Sequence, residues 1–317
     1  MKLLARLLPL ILMALTFILV REASASGVAC RAVHRLDTDH LSSVSANGKR
    51  IVFESFGAPN AETQVLFLNG IDKGLSQWTR VRESLQFKHP DWGFTQVDLL
   101  GQGKTAELNP TEGASISYRA QVDALKILIQ DRGLSGKKLI LVGHSYGGGI
   151  AARLIKENPG LVKEAVLVSP FVDHLETHQP GVGPVMWWAK QWSEMMGLRG
   201  LYEANVQMGS DAGAMMTWPM YSFWHSTNSR LTDVMALSRG IRDLQMDQSL
   251  RGAGSTRISI LSAQMDELIP VTAHAALWSQ IPASARGRFG LLTTTHESVT
   301  TAPDLVAREI LRTLDAP

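Results

Sequence analysis

The chain is 317 residues long, 45% hydrophobic and 19% charged. That balance excludes a disordered chain and allows one large core, or a core with a sizeable insertion. The formal net charge is +2, and Cys30 is the single cysteine, which excludes an internal disulfide.

Residues 1–25 read as an export signal. Lys2 and Arg6 open it, an apolar run from Leu7 to Val20 follows, and Ala23-Ser24-Ala25 offers small residues for cleavage. The run is shorter than the roughly 20 residues that a membrane-spanning helix needs; the alternative is an uncleaved anchor. Cleavage removes Lys2, Arg6, Arg21 and Glu22, which takes the net charge from +2 to 0. A neutral mature chain gives no electrostatic reason to expect nucleic acid or an anionic membrane as main partner. Cys30 stands where a bacterial lipoprotein carries its lipidated cysteine, but Gly27 replaces the leucine-like residue usual in that signal. The plain alternative is an ordinary thiol near the mature terminus.

Residues 39–56 predict a β-hairpin turning at Asn47-Gly48. Strand and helix then alternate. Val65 to Leu68 is a strand, Ser76 to Phe87 a helix, Phe94 to Leu99 a strand, and Tyr118 to Gln130 an amphipathic helix. Lys138 to Val142 is a buried strand, Ile150 to Glu157 a helix that stops before Pro159, and Ala165 to Val168 a strand. Such alternation implies right-handed βαβ units around a mainly parallel sheet.

Composition changes after Ser169-Pro170. Ten of the 12 methionines fall between Met186 and Met265, and five of the eight tryptophans lie in the same stretch. Residues 172–250 therefore read as a mostly helical insertion, dividing the alternating strand-helix core into 26–171 and 251–317. The alternation resumes with a strand from Arg257 to Ser262, a helix from Val271 to Gln280, a strand from Arg288 to Leu292 and a closing helix from Pro303 to Leu314.

The chemistry-bearing motif is Gly143-His144-Ser145-Tyr146-Gly147, a G-x-S-x-G turn with an apolar strand before it and a helix after it. The turn strains the serine backbone and lifts its hydroxyl above the sheet edge. A serine hydroxyl needs a base to remove its proton. His296 follows a strand and precedes the last helix; Asp266 follows the strand through Ile258-Ser259-Ile260-Leu261. Asn69-Gly70-Ile71 follows the first parallel strand, and Asp98-Leu99-Leu100-Gly101-Gln102-Gly103 follows the next.

Over roughly residues 39–315 these pieces resemble the α/β-hydrolase superfamily, in its esterase, lipase or serine-aminopeptidase branches. The resemblance implies a mostly parallel sheet of about eight strands with helices on both faces. It implies a triad in the chain order Ser145, Asp266, His296, with Asp173 as rival acid, and an oxyanion hole from the Ile71 and Tyr146 N–H groups. Glu267, beside Asp266, is expected to point elsewhere, and His144 to turn toward structural contacts. Many relatives have His-Gly in place of Asn69-Gly70, a departure that keeps the backbone donor but removes a bracing side chain.

The resemblance implies ester, thioester or amide hydrolysis through an acyl-enzyme, without metal or cofactor; the Met- and Trp-rich insertion, in the place of the family's cap, makes an apolar acyl ester, such as an acylglycerol or lysophospholipid, the leading expectation. Trp187, Trp188, Met215, Trp218 and Trp224 are candidate pocket residues, or else they pack the cap or touch a lipid surface. An aminopeptidase or amidase would need an anionic cluster in the cap, for which Glu176, Glu194, Glu203 and Asp211 are candidates. A non-catalytic binding protein on the same fold is the third reading.

Overall fold

A computed structural model of the chain describes residues 41–71, 73–110, 116–172, 245–266 and 268–315, together with 233, 236, 237 and 240. The hairpin is present as β1 (Leu41–Ala46) and β2 (Lys49–Gly57), turning at Asn47 and Gly48, both with positive φ. Then follow β3 (Thr63–Leu68), a 3-10 turn (Leu75–Trp78), α1 (Thr79–Lys88), β4 (Gly93–Val97), α2 (Gly103–Leu108), α3 (Tyr118–Asp131), β5 (Lys138–His144), α4 (Tyr146–Glu157) and β6 (Glu164–Val168). After the insertion come α5 (Met246–Arg251), β7 (Arg257–Met265), α6 (Val271–Gln280), β8 (Arg286–Thr295), α7 (Ser298–Thr301) and α8 (Pro303–Leu314).

Among the described residues the strands form one eight-stranded sheet in the order β1-β2-β4-β3-β5-β6-β7-β8. β1, β2 and β4 pair antiparallel, and every pairing from β4 through β3 to β8 is parallel. Side-chain alternation along the central strands divides the core in two. Leu66, Leu68, Leu139, Leu141, Ala165 and Leu167 face one layer, closed by Val122, Leu125 and Leu128 of α3 and Ile150 and Leu154 of α4. Val65, Phe67, Ile140, Val142, Val166 and Val168 face the other, closed by Trp78, Val81 and Leu85 and by Val306 and Ile310 of α8. Strands buried on both faces read as unbroken apolar runs, as Leu139–Val142 does.

The helix expected over Ser76–Phe87 begins as a 3-10 turn and becomes α-helical only from Thr79. The short helices α2 and α7 are additions to the sequence reading, each too brief for a clear apolar period, whereas α5 lies at the end of the stretch expected to be helical. Of the expected cap, Val172, residues 233, 236, 237 and 240, and residues 245–250 are described, and Ile116 N–H donates to the Ala236 carbonyl at 3.0 Å.

Candidate active site

The site grows from the end of β5. Ser145 has φ 48° and ψ −114°, a left-handed conformation that costs a non-glycine residue about 1–3 kcal/mol. Its backbone is held on both sides: its N–H donates to Val168 O at 3.0 Å, and its carbonyl accepts from Gly148 and Phe171 N–H, each at 3.0 Å. The turn is too tight for side chains beside it. A Cβ on Gly143 would lie 2.7 Å from Gly147 O, and one on Gly147 would lie 2.3 Å from Leu68 O. The latter distance shows how closely the start of α4 abuts the loop after β3, the segment that carries Ile71. Tyr146 opens α4, so its N–H is one of the donors that a helix leaves without an internal partner.

Above the turn, three buried side chains stand in a row. His296 Nε2 is 3.0 Å from Ser145 Oγ, and His296 Nδ1 is 2.8 Å from Asp266 Oδ2. The other Asp266 oxygen accepts from Leu268 and Ile269 N–H at 3.0 and 2.8 Å. Burial alone would raise the Asp266 carboxyl; the charge and hydrogen bond of His296, the Ile269 N–H and His274 together hold it below its ordinary value. An ionised carboxylate only accepts, so Nδ1 carries the proton and Nε2 is left to accept from the serine hydroxyl.

A second set of contacts braces these groups. Gly70 N–H donates to Gln77 Oε1 at 2.9 Å, Gln77 Nε2 donates to His144 Nδ1 at 3.0 Å, and His144 Nε2 donates to the His296 carbonyl at 2.9 Å. Burial, then His296, pushes His144 down to about 4, so the ring is neutral in this relay. His274 is a second neutral ring, lowered to about 4 chiefly by burial; it accepts from Ser262 Oγ at 2.7 Å and donates to the Pro170 carbonyl at 3.0 Å. Lys73 Nζ lies 3.1 Å from Glu297 Oε2, with both side chains almost wholly buried. Burial opposes the Glu297 charge, but Lys73 and the two histidines 144 and 296 hold its carboxyl below the ordinary value. Among the described residues no group of three or more His, Cys, Asp or Glu is placed to hold a metal ion.

A sequence model of the alpha/beta hydrolase fold matches residues 63–222. The chain belongs to this family. Lipase LipV of Mycobacterium tuberculosis is 30% identical over 114 residues, 36% of this chain and 40% of that protein. The 1-acylglycerol-3-phosphate O-acyltransferase ABHD5 of Mus musculus is 30% identical over 128 residues, 40% of this chain and 35% of that protein. The matched stretch thus spans well under half the length of these two relatives. Among solved structures, an esterase from Exiguobacterium antarcticum superimposes with a TM-score of 0.67 at 16% identity, covering 87% of this chain and 99% of that one. An enol-lactonase from Burkholderia xenovorans gives 0.64 at 13% identity, covering 87% and 100%. At these identities the likeness shows the fold.

Within this α/β hydrolase, Ser145, Asp266 and His296 are brought together as the chain order implied, and Ile71 lies in the turn after β3. His144 does face structural contacts. The Asn69 departure leaves the loop braced after all: Asn69 Nδ2 donates to the Lys73 carbonyl at 2.5 Å, and Gln77 takes the Gly70 N–H. Gln102, with its amide oriented to donate, reaches the Gly70 carbonyl at 2.8 Å. Asp173, Glu267 and the candidate pocket residues Trp187, Trp188, Met215, Trp218 and Trp224 lie outside the described residues, as do Cys30 and the acidic candidates of the cap. Sequence reasoning passed over Lys73, Gln77, Glu297 and the bonding of His274. A charged residue directly after His296, and another in the Asn69–Gly74 loop, were the available signals for the ion pair.

Proposed function

We propose that the protein is a serine hydrolase that cleaves the carboxylic ester of an apolar acyl group through an acyl-enzyme. The observation that carries this reading is the unbroken row from the strained Ser145 hydroxyl through His296 to the Asp266 carboxylate, at 3.0 and 2.8 Å. In the first half-reaction Ser145 Oγ attacks the ester carbonyl carbon while its proton passes to His296 Nε2. Asp266 holds the imidazole in the accepting tautomer and stabilises the imidazolium. The carbonyl oxygen becomes an oxyanion between the Ile71 and Tyr146 N–H groups, donors typically worth about 100- to 1,000-fold in rate each. The C–O bond to the alcohol then breaks, and His296 returns the proton to the leaving oxygen. In the second half-reaction water gives a proton to His296 and attacks the acyl carbon; the bond from that carbon to Ser145 Oγ then breaks, His296 returns the proton to Oγ, and the acid leaves.

The methionines and tryptophans concentrated between residues 186 and 265 support an apolar acyl group, and the lipase and acyltransferase names of two partial relatives support a lipid-like substrate. The apolar run and small-residue site within residues 1–25 support an enzyme acting outside the cytoplasm.

A fluorophosphonate probe with peptide mapping tests the reaction class: Ser145 should be the labelled residue, and Ser145→Ala should take no label. Folded protein that resists the probe would sink the reading. A series of p-nitrophenyl esters from acetate to palmitate tests the acyl group, with kcat/KM expected to rise beyond acetate. Amino-acid anilides run beside them test the aminopeptidase alternative, which would be favoured by faster turnover of the anilides.

A further inference from the structure

The sheet by itself does not fix where the His296 loop sits. His296 follows β8, an edge strand, whereas Ser145 follows β5 and the Ile71 loop follows β3. Strands β5, β6 and β7 separate β3 from β8. At about 4.8 Å per strand spacing, the two strand ends stand roughly 19 Å apart. The His296 loop must therefore reach back across the end of the sheet, and no strand ladder ties it to the Ile71 loop. Among the described residues, two side-chain links do. One is the neutral relay from Gly70 through Gln77 and His144 to the His296 carbonyl. The other is the buried ion pair of Lys73, two residues after Ile71, with Glu297, the residue after His296.

We propose that Lys73 and Glu297 are positioning residues, whose ion pair clasps the oxyanion loop to the histidine loop so that the acceptor of the serine proton and the donors to the oxyanion form one unit. The inference rests on the serine-hydrolase reading above. A buried ion pair is a poor choice for stability alone, because desolvation offsets most of its attraction. It is a good choice for register: an uncompensated charge at either end is disfavoured, so the loops are held to the arrangement that pairs them. α7, which begins directly after Glu297, packs on the 3-10 turn Leu75–Trp78 that follows Lys73, and so continues the same seam.

The clasp also leaves a charge signature at His296. Among the described residues the ring interacts with Asp266 from the β7 loop, His144 from β5, His274 from α6 and Glu297 on its own loop, while Lys73 opposes Glu297. Glu297→Gln removes a negative charge beside His296 while the Lys73 charge stays, which disfavours the imidazolium; Lys73→Met removes the positive charge while Glu297 stays, which favours it.

The test uses the full-length protein with Lys73→Met, Glu297→Gln and the double variant K73M/E297Q. Melting temperature and circular dichroism report the fold. The rate of fluorophosphonate labelling at Ser145 reports the site independently of substrate, and p-nitrophenyl ester kinetics across pH give kcat, KM and the acid limb. Each single variant should lose about 10- to 100-fold in labelling rate and kcat, with KM changed by no more than about threefold. The acid limb should move down in pH for Glu297→Gln and up for Lys73→Met. The double variant should bring the limb back to the parent's position while keeping a rate loss no greater than about that of the worse single, because both substitutions break one link. Folded variants that label at the parent rate with an unmoved acid limb would overturn the clasp. If the singles fail to fold, a folded double with the parent rate overturns it equally. Failure of the unmodified protein to label refutes the serine-hydrolase reading itself, whereas parental labelling unchanged in the variants refutes the clasp alone.

Discussion

His144 donates from Nε2 to the backbone carbonyl of His296 at 2.9 Å, and the two rings stand 5.1 Å apart, centroid to centroid. The residue before the proposed nucleophile thus holds the main chain of the proposed base, and the sharp turn that lifts Ser145 also aims His144 at this task. Being neutral, the ring can accept from Gln77 on one nitrogen and donate to His296 on the other.

Replacing His144 by Ala should strand both partners. The Gln77 amide and the His296 carbonyl would be left buried without this ring, at about 1–3 kcal/mol each. Urea denaturation should show a loss of roughly 2–6 kcal/mol, and fluorophosphonate labelling should slow in the folded fraction. A loss well below 1 kcal/mol would mean that the relay is incidental.

Asp266→Asn keeps an oxygen for the Leu268 and Ile269 N–H groups, so the fold should survive. The amide nitrogen can instead face His296 Nδ1 and force the wrong tautomer, placing a proton on Nε2 where an acceptor is needed. The expected loss in kcat is about 10,000-fold, with KM little changed. A folded Asp266→Asn variant within tenfold of the parent would point to another acid, Asp173 being the first to test.

Stability should peak near pH 6.5. His144 and His274 stay neutral in the fold down to about 4, against an ordinary value of 6.5, so between those limits the unfolded chain binds two protons that the fold refuses. Asp98 acts oppositely: burial lifts its carboxyl from 3.8 to about 8, so the fold keeps one proton there that the unfolded chain has released. The net difference below pH 6.5 is one proton, and stability should fall by about 1.4 kcal/mol per pH unit on acidification. Above pH 6.5, of these three groups only Asp98 still differs between fold and unfolded chain, and its contribution should decline toward pH 8. Below about 4, Asp266 and Glu297, whose carboxyls are held down in the fold, add to the acid loss. Thermal melts from pH 4 to 8 check the shape; a melting temperature still climbing from 6.5 to 8 would contradict it, and Asp98→Asn should flatten the alkaline side.

The parts of this molecule legible in its sequence are those set by local pattern. Leu139–Val142 running into Gly143-His144-Ser145 could only be a buried strand entering a tight turn, and it is. Val271–Gln280 and Pro303–Leu314 are helices with the bounds expected, since Pro stands before or at the first turn of each. That Ser145, Asp266 and His296 meet was what the family resemblance implied from their order along the chain, with Asp173 left as the rival acid. What pattern could not convey is contact across the sheet: that Lys73 meets Glu297, that Gln77 meets His144, or that His274 is buried against Ser262 and Pro170. Most of those partners are far apart in the chain, and a lone Lys, Gln or Glu between regular elements reads as solvated until the fold closes over it.

The glycines offer the sharpest contrast. A methyl on Gly147 would lie 2.3 Å from Leu68 O and 2.7 Å from Asn69 O, main-chain atoms that cannot rotate away. Gly147→Ala must therefore push α4 from the loop after β3, the two elements that supply the proposed oxyanion donors, and overpacking of this kind costs about 1–3 kcal/mol. Gly160 has φ +84° and nothing within 4 Å of an added methyl, and it precedes β6 at the end of the sheet away from Ser145. Gly160→Ala should cost about 1–2 kcal/mol through backbone strain alone. The two variants should thus melt within a few degrees of each other, yet Gly147→Ala should lose about 100-fold in labelling rate while Gly160→Ala keeps the parent rate. Equal labelling rates in the two would show that the approach of α4 to the Leu68–Asn69 backbone does not set the reactivity of Ser145.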